Sequence, residues 1–157
     1  MNLITMLSGS LRLSATGAAH PDEVWDRYTR PARWSRWSPH LREVDYPDAV
    51  IRPGTTGRVT GVGGVVAVFR IDAVDHEART WSWSVRSGPL RVSFDHGVDA
   101  AGAEPPGTDR AGADRAGADS GHVGGSTAWL VTHAPWPVAV GYAPLARLAL
   151  GRLVAPA

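Results

Sequence analysis

Arg79-Thr80-Trp81-Ser82-Trp83-Ser84-Val85-Arg86 is followed by Ser87-Gly88-Pro89 and then by Leu90-Arg91-Val92-Ser93-Phe94-Asp95-His96-Gly97-Val98. Both long runs alternate in polarity, the period of a strand with one covered face. Trp81, Trp83 and Val85 share a side in the first run. Leu90, Val92, Phe94 and Val98, with His96 among them, share a side in the second. A tight turn at Ser87-Gly88-Pro89 joins the two runs into a hairpin. Arg86, Arg91 and Asp95 fall on the other side, so the hairpin belongs to an antiparallel sheet covered on one face only.

Working outward, more strands precede this hairpin. Val65–Val74 is a long strand with Phe69, Ile71 and Ala73 on its apolar side, and Asp75–Ala78 is a turn. Thr56–Val62 is a strand weakened by glycines. Val44-Asp45-Tyr46 is another, before a Pro/Gly loop over 47–54. Leu11–Thr16 alternates with Leu11, Leu13 and Ala15 inward. Between it and the later strands, Pro21–Tyr28 reads as a helix with proline and acids in its first turn. Pro31 interrupts, and Ala32–Trp37 is a second short helix that stops before Pro39.

Downstream, residues 100–125 contain a tandem repeat, Asp109–Ala113 and Asp114–Ala118, in Gly, Ala and Asp. Such a segment has too little apolar surface to order itself and reads as a flexible insertion at a hairpin tip. Ser126–Ala134 is the last strand, ended by Pro135-Trp136-Pro137. Leu145–Val154 is helical, with Leu145, Leu148, Ala149 and Leu153 placed on one face by their spacing. The order predicts an α+β domain over 1–157. One curved antiparallel sheet grips a terminal helix, and an open hollow between them suits an apolar ligand.

Composition narrows the chemistry. The chain has 157 residues, 43% of them hydrophobic and 20% charged. A chain of this size buries about two thirds of its unfolded surface. It has no cysteine, which excludes disulfides, thiolate catalysis and cysteine metal sites and points to the cytoplasm. All 16 basic residues are arginine, which excludes lysine Schiff bases and lysine-type phosphate loops. The net charge of +1 gives no whole-molecule pull toward nucleic acid or anionic membrane. Arg30, Arg33, Arg36 and Arg42 interleave with Trp34 and Trp37, a pattern that also suits single-stranded nucleic acid, and the charge balance argues for solvated surface instead. The six histidines show no metal-ligand spacing, so neither metal nor cofactor is expected. The N-terminus lacks a signal-peptide pattern, and Arg147 and Arg152 make a membrane span through 137–157 costly.

The chain resembles the START-like, or SRPBCC, superfamily, and within it the polyketide cyclase/dehydrase and lipid-transport branch. The first strand running into Ala19-His20-Pro21-Asp22-Glu23-Val24-Trp25-Asp26 carries part of the likeness. Trp34-Ser35-Arg36-Trp37-Ser38-Pro39 carries a second part. Pro53-Gly54-Thr55-Thr56-Gly57, Phe69–Asp75, the Trp strand and Gly125-Ser126-Thr127 carry the rest. The resemblance implies a helix-grip (START/Bet v-like) fold with a hydrophobic cavity under the C-terminal helix. It fixes no activity, because one fold hosts many. This sequence departs from the pattern in its long, simple insertion and in a terminal helix that stops at Ala157.

Alternation places Phe69, Ile71, Trp81, Trp83, Val92, Phe94 and His96 toward the cavity. Trp37 is expected at its mouth, with Tyr142 and, from the helix, Leu145 and Leu148. The last strand offers Trp129/Val131/His133 or Leu130/Thr132, and Trp129 is taken as the inward side chain. Arg12, Arg70, Asp72, Arg86, Arg91 and Asp95 form a solvated ladder outside. His96 is the one titratable group in a cleanly apolar set, either a buried neutral histidine or an acid/base group for catalysis. Three functions fit. The first is binding of a polyketide, lipid or aromatic molecule. The second is a cyclase, aromatase or dehydratase that folds its substrate and uses His96, with Tyr142 or His133. The third is a chaperone-like module that holds a peptide in an open groove.

Overall fold

The computed structural model describes residues 8–102 and 124–157. The insertion at 100–125 therefore lies outside the described residues except at its two ends. There Ala100 pairs with Ser126, and the Ala101 amide donates to the Gly125 carbonyl at 2.9 Å.

In chain order the elements are β1 (Ser8–Gly17), α1 (Pro21–Thr29), a 3-10 turn (Pro31–Arg33), α2 (Trp34–Trp37), β2 (Leu41–Asp45), β3 (Thr56–Gly61), β4 (Val66–Asp75), β5 (Thr80–Ser87), β6 (Leu90–Ala100), β7 (Ser126–Pro135) and α3 (Trp136–Leu153). The seven strands form one antiparallel sheet in the order β1-β7-β6-β5-β4-β3-β2. Its two end strands are far apart in the sheet, and α1, α2 and α3 cover one face. This is the α+β, curved-sheet, helix-grip architecture.

Local chemistry explains the helical half. His20 caps α1 by accepting from the Asp22 amide at 3.2 Å, Pro21 opens the first turn, and Asp22 and Glu23 face the positive end of the helix. Arg27 reaches from α1 to the carbonyls of Leu153 and Ala155 at 2.6 and 2.7 Å. Those are orphan acceptors at the end of α3, so one guanidinium ties the first helix to the last. Gly17 allows the same junction to close: a Cβ there would stand 2.3 Å from the Val154 carbonyl oxygen.

The sheet register sets the core. Trp81 lies opposite His96, which lies opposite Leu130; Trp83, Phe94 and Thr132 form the next row. These rows face the helices, and the expected outer ladder of Arg12, Arg70, Asp72, Arg86, Arg91 and Asp95 stays on the other side.

Three expectations are corrected here. Ala73 is exposed and Val74 packs on the core instead, because the β4–β5 register shifts between Ile71 and Ala73 and a bulge reverses the alternation. Leu90, next to the hairpin turn, is exposed at the end of the sheet. The terminal helix starts at Trp136 rather than at Leu145, and its buried face is Ala139, Ala146, Ala149, Leu150 and Leu153, so Leu145 and Leu148 point to solvent. The helix is apolar on nearly all sides, and spacing alone cannot choose the face that meets the sheet.

Candidate functional site

Between α3 and the sheet lies a hollow walled by Tyr28 from α1, Trp34 and Trp37 from α2, Ser38, His40 and Leu41 before and within β2, Trp81 and Trp83 from β5, His96 from β6, Leu130 from β7, and Tyr142, Ala149 and Leu150 from α3. The hollow is not open. Aromatic side chains fill it to a free volume of about 40 Å³. That admits a few waters and no polyketide or acyl chain.

The filling is ordered. The His96 imidazole stacks on the Trp81 indole with centroids 4.5 Å apart and planes 12° off parallel. Trp34 stacks on the same indole at 5.5 Å and meets Trp83 edge-on at 5.1 Å. Tyr28 sets its ring against His96 at 5.2 Å and against Trp37 at 5.5 Å. Phe94 joins Trp83 at 5.7 Å to Tyr142 at 5.6 Å. Offset and edge contacts of this kind each contribute about 0.5–1.5 kcal/mol beyond simple burial.

The polar atoms in this aromatic box are few. The Trp83 indole N–H donates to His96 Nε2 at 3.0 Å. That bond makes Nε2 the acceptor and puts the ring proton on Nδ1. Burial pushes the imidazolium form away, lowering the His96 pKa to about 3. At neutral pH the ring is uncharged, its Nε2 lone pair is taken, and what it offers is one N–H. Among the described residues His96 Nδ1 has no partner, and neither has Trp81 Nε1 nor Thr132 Oγ1. Orphaned donors of this kind are uncommon in a folded interior.

A second polar group stands at the mouth. The Tyr142 hydroxyl hydrogen-bonds His40 Nε2 at 3.2 Å, and Ser38 Oγ lies 3.3 Å from both ring nitrogens of His40. Burial lowers the His40 pKa and pushes that of Tyr142 up to about 12, so both stay neutral near pH 7. This network pins the middle of α3 to the edge of the sheet.

Of the residues singled out in the sequence, Trp37, Trp81, Trp83, His96 and Tyr142 stand around the hollow, with Phe94 directly behind them. Phe69, Ile71 and Val92 are buried in the core, and Phe69 supports Trp34 from behind at 5.4 Å. Trp129, Leu145 and Leu148 are corrected: none lines the hollow. Trp129 lies on the outer face over Gly97, where a Cβ would come within 2.2 Å of its ring. Its N–H donates to Asp99 at 3.1 Å, and Arg12 sits 4.6 Å above the ring. Leu130 and Thr132 take the inward positions of β7. His133 is also outside, bonded to Asp95 at 2.8 Å. The wall residues that strand alternation does not reach are Tyr28, Trp34, Ser38 and His40. The signal for Trp34 and Trp37 is their i, i+3 spacing, which puts both on one side of a short helix.

Among the described residues no cluster of three or more His, Asp or Glu side chains could hold a metal ion, and no helix is long and apolar enough to cross a membrane.

Comparison with known proteins agrees with this geometry. The family model for polyketide cyclase / dehydrase and lipid transport matches residues 8–109. No curated protein matches the sequence. Several solved structures share the fold at low identity. A hypothetical protein from Helicobacter pylori superposes with a TM-score of 0.67 at 9% identity, over 93% of this chain and 86% of its own. XoxI from Bacillus cereus gives 0.67 at 12% identity, over 93% of each chain. Ara h 8.0201 gives 0.60 at 15% identity, over 92% of this chain and 95% of its own. With its helix-grip architecture and a family match across most of its length, the chain belongs to the polyketide cyclase / dehydrase and lipid transport family.

Proposed function

We propose that the chain is a ligand-binding domain for an apolar small molecule carrying a carbonyl oxygen, a polyketide, lipid or aromatic compound, held in the hollow under α3. The observation that carries this reading is the pair of unpartnered buried N–H donors, His96 Nδ1 and Trp81 Nε1, on stacked rings in an otherwise apolar box. Each unmet donor costs about 1–3 kcal/mol. A bound carbonyl would accept from them and recover that cost, while the indoles supply flat apolar contact.

The free volume requires the box to enlarge before a ligand enters. The N-terminal half of α3 is the part suited to move, since Gly141 and Pro144 weaken its middle and the mouth network holds it there, while Arg27 holds the far end. A cyclase that polarises a substrate carbonyl would use the same N–H pair. A histidine with a pKa of about 3 serves such a reaction as a neutral donor rather than as an imidazolium acid.

Tryptophan fluorescence titrated with acetylnaphthalene and with isopropenylnaphthalene, its near-isosteric hydrocarbon, tests the reading. The ketone should bind roughly tenfold tighter, the equivalent of one buried hydrogen bond. His96→Phe should narrow that gap while leaving hydrocarbon binding in place. Equal affinities for the two, or no response to either, would overturn it. Turnover of a poly-β-keto substrate that His96→Phe abolishes would favour the cyclase.

A further inference from the structure

The outward half of α3 has the composition of a buried helix and no described part of the chain lies over it. Its large exposed side chains are Trp136, Val140, Leu145 and Leu148, with Trp136 at 56% and Leu148 at 48% exposure. The other exposed positions are prolines and glycines, apart from Arg147 and Arg152. The whole helix carries no carboxylate and no amide side chain. A surface helix facing water carries charged and polar residues on that side. At about 100° per residue, Arg147 and Arg152 stand on opposite flanks of this face, with Val140 and Leu148 between them.

We propose that this face of α3 docks on an anionic lipid surface. An interfacial helix needs tryptophan and leucine to enter the acyl boundary and cationic flanks to stay with the headgroups. Arginine stems lie along apolar surface while their guanidinium groups reach phosphate oxygens. Neither Arg147 nor Arg152 pairs with a carboxylate among the described residues. Arg36, which pairs with no carboxylate among the described residues, lines the same surface pocket as Arg152 and extends the positive border beside the helix, while Arg33 and Glu23 in that pocket are paired with Asp26 and Arg27. A second copy of the chain is the poorer occupant, because it would bring these arginines against their own kind with no carboxylate on the face to answer them. The net charge of +1 makes the attraction local to this face rather than general.

Flotation of the full chain with phosphatidylcholine vesicles and with equimolar phosphatidylcholine/phosphatidylglycerol vesicles tests the proposal. The chain should float with the anionic vesicles and not with the neutral ones. Leu148→Glu should cut the bound fraction roughly tenfold, as expected for losing one buried leucine. The double variant Arg147→Gln/Arg152→Gln should weaken binding about fivefold per arginine and flatten its salt dependence. All three positions are exposed, and a thermal melt of each variant checks that the fold is kept. No flotation, equal flotation with neutral vesicles, or binding indifferent to both variants would overturn the proposal. So would a concentration-dependent dimer without flotation, which would assign the face to a second copy. The assay needs no cavity ligand, so its failure would leave the carbonyl-binding reading standing.

Discussion

His96, at the centre of the aromatic box, and Trp129, on the opposite face of the sheet, sit on neighbouring strands and were unequally legible. His96 was visible because its own strand alternates cleanly, so burial followed from local pattern. Trp129 was not, because the space that receives it is made by Gly97 on β6, a partner that only the sheet register supplies. Aromatic cover of a strand glycine is a cross-strand device. Gly97→Ala should therefore destabilise the fold by about 1–3 kcal/mol through overpacking. Trp129→Ala should relieve that cost, so urea titrations of the double variant should show strong non-additivity. His96 gives a pH prediction. Its folded pKa lies near 3 and the ordinary value is 6.5. The unfolded chain thus binds a proton that the folded chain refuses. The stability owed to the neutral ring is fully present above about pH 6.5 and is lost as pH falls toward 3, at up to ~1.4 kcal/mol per pH unit. In His96→Phe the decline of the urea midpoint across that window should be shallower than in wild type. Parallel declines would mean the imidazole is hydrated in solution.

At the scale of elements, the strands were readable and α3 was only half so. Alternation found β5, β6 and β7 within a residue or two, since each has one wet and one dry face. It missed the bulge in β4, which depends on pairing with β5. Pro135-Trp136-Pro137 reads as the stop after the last strand and Leu145 as the start of the helix, yet α3 runs from Trp136 to Leu153 with Pro137 and Pro144 inside it. Pro137 sits in the first turn, where a missing N–H costs nothing. Pro144 is interior and removes one helical bond. Packing of Ala146, Ala149, Leu150 and Leu153 on the sheet outweighs that loss, which propensity cannot foresee. Pro144→Ala should then restore the bond at an exposed position and raise the melting temperature by several degrees, given that 1 kcal/mol shifts a domain of this size by about 2–4 °C. The same change should slow ligand uptake if α3 is the part that moves. A higher melting temperature with unchanged uptake would separate helix stability from access.

For the whole molecule, the consequence of a sheet curled around one helix is that the interior can be either filled or open with little change in topology. Tyr28, Trp34, Trp81 and Trp83 fill it here. The expectation of an open hollow failed for a physical reason: the same aromatic residues that would line a cavity are large enough to close it, and side-chain size along a sequence does not tell lining from filling. Under the proposed function, binding must then wait for an opening of α3 at the mouth, where its polar restraint is the Tyr142–His40 bond, while the Arg27 bonds hold its far end. Under that condition the observed uptake rate rises with ligand concentration and levels off at the opening rate, far below the diffusion limit. Tyr142→Phe removes a bond worth about 0.5–1.5 kcal/mol from the closed state. If the bond is already broken at the barrier to opening, the plateau should rise by about three- to tenfold, with little change in the rate of closing. Stopped-flow tryptophan fluorescence with an aromatic ketone measures both plateaus. A rate that stays linear in ligand concentration would mean the hollow is already open in solution, and an unchanged plateau in Tyr142→Phe would move the gate away from the mouth of α3.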